Sequence, residues 1–154
     1  SVHPGYSLLI NTGGSAYTDN SAAAGETYVY VIRTVSGTDL SPLSAPDVAT
    51  TIFYTDPTLN SSVPVKAVHL TQLRLAANSM AEAGNIVPPA FTDPTISPGS
   101  TLIKAAHVQQ LRNTIDAARA AIGIPAVAYT DPTLTPGTTV VKGTHLQQLR
   151  LACQ

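Results

Sequence analysis

Three histidines recur at a constant spacing in the second half of this sequence and are its most evident candidates for chemistry. His69, His107 and His145 lie 38 residues apart, so stacked repeats would contribute one imidazole each. Imidazole is a common metal ligand, and metal binding between repeats is one hypothesis. Zinc needs three or four converging ligands, however, and these helices lack the second ligand of a His-Glu-x-x-His motif. We therefore expect structural histidines and no cofactor.

The residues around each histidine indicate where its ring lies. In the second repeat Ile103, His107, Leu111 and Ile115 follow one another at intervals of four, which places them on the apolar face of one helix. The same pattern surrounds the other two histidines. A histidine on a packing face is usually neutral and satisfied by one hydrogen bond to a carbonyl or a nearby turn.

An aspartate recurs with the same period inside the motif aromatic-Thr-Asp-Pro-Thr. Asp56, Asp93 and Asp131 each precede a proline, where the backbone favours an extended conformation. We expect each to fasten its turn by accepting backbone N–H bonds and pairing with an arginine of the same or an adjacent repeat. The candidate partners are Arg74, Arg112 and Arg150. Calcium is the alternative, but it needs six to eight oxygens and each loop offers one carboxylate.

Aromatic and lysine residues complete the repeated set. The leading aromatics are Tyr54, Phe91 and Tyr129. They are expected to fill the junction between consecutive helices, with a sugar-stacking platform as the alternative. The lysines are Lys66, Lys104 and Lys142. They fall near helix starts, where a cation gains nothing from the helix dipole, and we expect them to be solvated.

The sequence offers little for catalysis. Glu26 and Glu82 are the only glutamates. The chain contains no Gly-x-Ser-x-Gly elbow, phosphate-binding loop or Cys/His pair that would indicate a nucleophile or a cofactor. We therefore predict that the protein is not an enzyme.

Composition limits the partners and the location. Charged residues make up 11% of the chain and the net charge is −1, which leaves no basic patch for nucleic acid, and no apolar run is long enough to insert into a membrane. Low charge and many Thr and Ser residues favour an extracellular or cell-surface protein secreted by a bacterium. Cys153 is the single cysteine. An idle thiol near a frayed end is expected, with an intermolecular disulfide as the alternative.

The hydrophobic pattern divides the chain into two regions, 1–52 and 53–154. The first has the period of β-strands, which are predicted at 7–12, 15–18, 26–35 and 47–52, with a turn at 36–39. Residues 24–35 and 41–44 resemble the second half of a bacterial fibronectin type III domain. The resemblance implies that Tyr28, three residues after Gly25, forms a tyrosine corner. The front strands of such a domain are missing, so both faces of the 26–35 strand need a cover.

The second region has a helical period and an internal repeat. Its units are predicted at 53–90, 91–128 and 129–154, with helices at about 64–83 and 101–122 and a third of roughly three turns. The motifs Thr-Asp-Pro-Thr and Lys-Ala-x-His-x-x-x-Leu-Arg resemble repeats found at the ends of secreted bacterial proteins. This resemblance implies an extracellular setting and no catalytic role.

The sequence therefore predicts an α+β protein, in which an incomplete fibronectin-III-like antiparallel sheet precedes helix-turn repeats of 38 residues. Its expected function is structural: the subunit of a bacterial surface filament, whose incomplete sheet and incomplete terminal repeat are completed by neighbouring subunits. The candidate subunit interface comprises Leu8, Ile10, Val29 and Val31. The alternatives are a polysaccharide-binding or cell-wall-binding accessory module and an inert spacer. Asn60 begins an Asn-Ser-Ser sequence that is a candidate glycosylation site.

Overall fold

The β-region is smaller than the sequence predicts. The structure, a computed structural model, describes residues 5–154, so the first four residues of the predicted β-region lie outside it. Within the described residues, 7–12 and 15–18 are not strands, and most of their side chains are exposed. A strand is maintained by hydrogen bonds to a neighbouring strand, and these segments pair with no other described part of the chain.

Four short strands form two separate antiparallel pairs. The strand β1 (Thr27–Tyr30) pairs with β4 (Asp47–Thr50), with Val29 opposite Val48. The predicted 26–35 strand is interrupted after Tyr30, and its end becomes β2 (Val35–Ser36), which pairs with β3 (Asp39–Leu40). The predicted turn at 36–39 is thus the tip of a hairpin, where Gly37 has a φ of 60°.

Three helices follow, one in each repeat. They are α1 (Ala67–Ala83), α2 (Ala105–Ile122) and α3 (Gly143–Ala152). The first two end where predicted, at Gly84 and Gly123, but begin about three residues late, because the lysine before each helix has an extended backbone. Of the helices in the described residues, none combines the length and the apolar character needed to cross a membrane.

All three helices pack against one another around a single core. Equivalent positions of the three repeats supply its centre, and their side chains are 0% exposed. These residues are Leu70, Val108, Leu146, Leu73, Leu111 and Leu149. The β1–β4 pair adds Val48, which is 3% exposed, while Val29 packs beside it, half-buried. The mixed architecture agrees with the α+β prediction, and the two regions share this core.

Candidate functional site

Each repeated aspartate binds the histidine and the lysine of its own repeat. In the second repeat, Oδ2 of Asp93 lies 3.0 Å from Nε2 of His107 and 2.6 Å from Nζ of Lys104. The corresponding His and Lys distances are 3.0 and 2.5 Å at Asp56, and 2.9 and 2.8 Å at Asp131. The lysine side chains are about half exposed, which agrees with the prediction of solvated lysines, but each ammonium also pairs with a carboxylate, which the sequence did not predict.

The histidine ring is held at both nitrogens. The backbone N–H of Lys104 donates to Nδ1 of His107 over 3.2 Å, so Nδ1 carries no proton and Nε2–H donates to Asp93. The same backbone bond is made to His69 and His145, at 3.2 and 3.3 Å. All three rings are buried, as the helical pattern predicted. Each makes two hydrogen bonds where the sequence suggested one, and together they tie the turn to the start of the helix.

Burial and hydrogen bonding shift the pKa of His107 and of the three aspartates. Burial lowers the pKa of His107 and so favours the neutral ring. Hydrogen bonds from the lysine, and next from the histidine, lower the pKa of Asp56, Asp93 and Asp131. We call the Asp–His–Lys group of one repeat its clasp. In the clasp of the second repeat, the lowered pKa values favour a carboxylate at Asp93 and a neutral imidazole at His107 at neutral pH.

The three aspartates have left-handed backbones, against the expectation of an extended conformation. Their φ angles are 52° at Asp56, 48° at Asp93 and 51° at Asp131. Aspartate tolerates this region better than most residues, although a following proline disfavours helical conformations. The side chain is held by His and Lys and the main chain by an arginine, so tertiary contacts on both sides outweigh the local preference.

The repeated arginines bind main-chain carbonyl groups and not the aspartate side chains. Arg74 donates to the carbonyl oxygens of Thr92, Asp93 and Pro94 over 2.5 to 3.2 Å. Arg112 makes the same three bonds to 130–132 over 2.9 to 3.5 Å. The predicted Asp–Arg ion pair is thus wrong in its atoms, but the arginine does bind the turn of the adjacent repeat.

An aromatic ring lies against each arginine. The guanidinium carbon of Arg112 is 4.4 Å from the ring centre of Tyr129, and that of Arg74 is 4.9 Å from that of Phe91. This is cation–π distance, and a guanidinium attracts either kind of ring face. The junction role predicted for the aromatics matches these positions, since each ring packs at the boundary between two repeats. The Tyr129 hydroxyl also donates to Asp116 over 2.8 Å.

The third repeat returns to the first. Arg150 donates to the carbonyl oxygens of Thr55 and Asp56 over 2.9 and 2.6 Å. Its guanidinium lies 4.5 Å from the ring centre of Tyr54. We name this junction the seam. It corrects the prediction that the terminal repeat needs a neighbouring subunit, because the first repeat of the same chain covers it.

A glutamine in each helix was missed at the sequence level. Gln110 accepts from the Thr92 N–H over 3.0 Å and donates to its hydroxyl over 3.1 Å. Gln72 and Gln148 make the same pair of bonds to Thr55 and Thr130. The signal was present, since these glutamines also recur every 38 residues, three positions after each histidine.

Cys153 lies inside the seam. Its side chain is 0% exposed, it sits beside the Tyr54 hydroxyl, and burial raises its pKa to about 12. The thiol is therefore protonated and shielded at neutral pH. The expectation of an idle thiol at a frayed end is wrong, and an intermolecular disulfide would require the seam to open.

The other predicted residues lie in the β-region or in a loop. The Tyr28 hydroxyl accepts a hydrogen bond from the Ala23 N–H over 2.8 Å, which is the kind of contact that a tyrosine corner implies. Leu8 and Ile10 are 81% and 42% exposed. Val29 faces the core and so is already covered by helices. Val31 is half-buried, and Asn60 is exposed, with its side-chain oxygen accepting hydrogen bonds from the backbone N–H and the hydroxyl of Ser62.

No metal-binding cluster is found among the described residues. No group of three His, Cys, Asp or Glu residues among 5–154 could hold a metal ion. A shallow depression of about 860 Å³ lies between the starts of the three helices, and its lining contains none of those residue types. Comparison of the chain with protein-family models, curated proteins and solved structures gave no match.

Proposed function

We propose that this chain is an extracellular structural protein of a bacterium, the subunit of a surface filament in which one copy completes the β-region of the next. The observation that carries this proposal is the segment 7–12. Its sequence favours a strand, it contains three consecutive aliphatic residues, and it pairs with no described part of its own chain. Leu8, Leu9 and Ile10 are 81%, 48% and 42% exposed.

The same chain contains edges that could receive such a segment. The β1–β4 sheet has two strands, so each has one edge without a strand partner among residues 5–154. Exposed edges are templates for strand addition from another chain. Because the donor segment and the acceptor edge are different surfaces, the contact is heterologous. Heterologous contacts that do not close into a ring continue as filaments.

The helical repeats support the same division of roles. The arginine of each helix binds the turn of another repeat, and at the seam the third repeat binds the first. Because the seam pairs the first and third repeats within one chain, the described unpaired strand segment and sheet edges lie in the β-region. Self-association is therefore the partner interaction we propose, and no step in it requires a cofactor.

Electron microscopy and light scattering of the purified chain over a range of concentrations test the proposal. Filaments are expected above a critical concentration. Leu8→Asp should raise that concentration about 10-fold or more, since burial of a leucine contributes about 1.5–3 kcal/mol. Val87→Asp is the matched control, because Val87 is 92% exposed in the helical region, and it should leave assembly unchanged.

A peptide of residues 5–14 provides a second test. Added in excess, it should occupy the acceptor edge and end filament growth, whereas a scrambled peptide should not. Monodisperse monomers at every concentration would refute the filament. Saturable polysaccharide binding by such monomers would instead favour the accessory-module alternative.

A further inference from the structure

The seam uses the same kind of contact as the junctions between consecutive repeats, an arginine bound to carbonyl groups of a turn. Its two sides, however, are far apart in the sequence. Its bonds join residues 88 to 95 positions apart, including Leu59 N–H to Gln147 Oε1 over 2.9 Å. At the other two junctions, the bonds of Arg74 and Arg112 join residues 18 to 20 positions apart. Nothing in the seam contacts themselves requires that the third repeat and the first belong to the same molecule.

The connection to the third repeat is short. Residues 123–128 join α2 to Tyr129; Ile124 and Val127 are half-buried against the core, whereas Pro125, Ala126 and Ala128 are exposed. Three hydrogen bonds to Arg119 fix its start: the N–H groups of Gly123 and Ile124 donate to the Arg119 carbonyl over 3.0 and 2.8 Å, and Arg119 Nε donates to the Pro125 carbonyl over 3.0 Å. Six residues span at most about 20 Å when extended, enough to separate the third repeat from its own core.

We propose that two copies of this chain exchange their third repeats, 129–154, so that Arg150 of each copy binds the Thr55–Asp56 turn of the other. The occupant of the seam is then a second copy, and the exchanged interface continues the one that the single chain already forms. Every buried seam contact is preserved, so the exchange costs mainly the entropy of association and is favoured by concentration. The exchange does not involve residues 5–52 and is independent of strand completion.

Complementation between two seam variants tests the exchange. Arg150→Ala removes the donor side of the seam, and Tyr54→Ala removes the ring on the acceptor side. Both are made in the Leu8→Asp background, so that strand-mediated assembly cannot contribute. Each variant alone should expose Cys153 to a thiol reagent. Unfolded in urea, mixed and refolded together, they can form a mixed dimer with one intact seam.

The expected result is a doubled mass in light scattering and protection of one thiol in each mixed dimer, which is about a quarter of all thiols if the two chains pair at random. The protected thiol belongs to the Tyr54→Ala chain, whose third repeat meets an intact Tyr54 in its partner. Labelling equal to the average of the separate variants, with no doubled mass, would overturn the proposal.

A measurement on the unmutated seam covers the case in which either variant fails to fold. Leu8→Asp protein with natural isotopes is unfolded together with a nitrogen-15-labelled sample of the same protein, and both are refolded at increasing concentration. Native mass spectrometry should then show a mixed dimer whose fraction grows with concentration. Monomers alone at all concentrations would overturn the exchange. Strand completion would be unaffected, because it is tested in the unsubstituted chain, which keeps Leu8.

Discussion

Gly143, the first residue of α3, provides the sharpest test of the closed arrangement. The equivalent residues of the other two repeats are Ala67 and Ala105, so the repeat pattern alone recommends Gly143→Ala. Alanine stabilises a helix interior relative to glycine by up to about 1 kcal/mol. In an open array of repeats this substitution should therefore be neutral or stabilising.

The seam reverses the expected sign. A Cβ at position 143 would lie 2.5 Å from the carbonyl oxygen of Asn60, with the carbonyl carbon at 3.4 Å. The obstacle is backbone and cannot rotate away. Overpacking of this kind costs about 1–3 kcal/mol, which exceeds the gain in helix propensity. We expect a net loss of about 1–2 kcal/mol in the free energy of unfolding, and about 2–4 °C in Tm for each kcal/mol at this chain length.

Urea unfolding followed by circular dichroism measures the loss, and Cys153 reports where it occurs. Because the thiol is buried in the seam, its labelling rate under native conditions follows seam opening, at about tenfold for each 1.4 kcal/mol. Ala67→Gly is the matched control: it should lose up to about 1 kcal/mol of stability without the same rise in labelling. A Gly143→Ala protein as stable as the parent, with unchanged labelling, would refute the closed seam.

Two further predictions concern the second repeat. Burial lowers the pKa of His107 below its ordinary 6.5, so the unfolded chain binds more protons than the folded chain below that pH. The free energy of unfolding should therefore fall as the pH drops through 6.5 and become constant below the pKa of the folded state. A second decline is expected below pH 3.8, since the hydrogen bond from Lys104 lowers the pKa of Asp93. His107→Gln, whose amide can accept from the Lys104 N–H and cannot titrate, should flatten the upper decline in urea titrations, and an unchanged slope would contradict this assignment. Arg112→Lys should lower the free energy of unfolding by about 2–4 kcal/mol in the same assay, because an ammonium cannot bind the carbonyl groups of the turn and stack on Tyr129 together. Arg33→Lys, at an exposed position, is the control and should change stability by no more than about 0.5 kcal/mol. Equal effects at the two sites would argue against a role for the guanidinium of Arg112 in binding the turn and Tyr129.

The sequence predicted the helices well because their signals are local. The apolar face around His107 and the glycines at 84 and 123 gave the type, the buried face and the end of the helices. The late helix starts were missed because they depend on a hydrogen bond between a backbone N–H and a histidine ring. That bond follows from the side-chain conformation and cannot be inferred from spacing alone.

The strands were predicted less well, for a physical reason. Residues 7–12 have the composition of a strand, but a strand is also maintained by hydrogen bonds to a neighbouring strand, and these residues pair with no strand of the described chain. Composition also could not show that the strand around Tyr28 is interrupted after Tyr30. The identification of this region with half of a fibronectin type III domain stays a prediction.

The sequence by itself determined that three equivalent units exist and which residue types recur in them, because repetition and helical periodicity are properties of the linear chain. Only the tertiary structure decided which atoms meet. It pairs aspartate with histidine and lysine, directs arginine to carbonyl oxygens, and brings Arg150 to a turn 94 residues away. The physical reason is that hydrogen-bond partners depend on distance in space, and burial of the last helix against the first sets that distance.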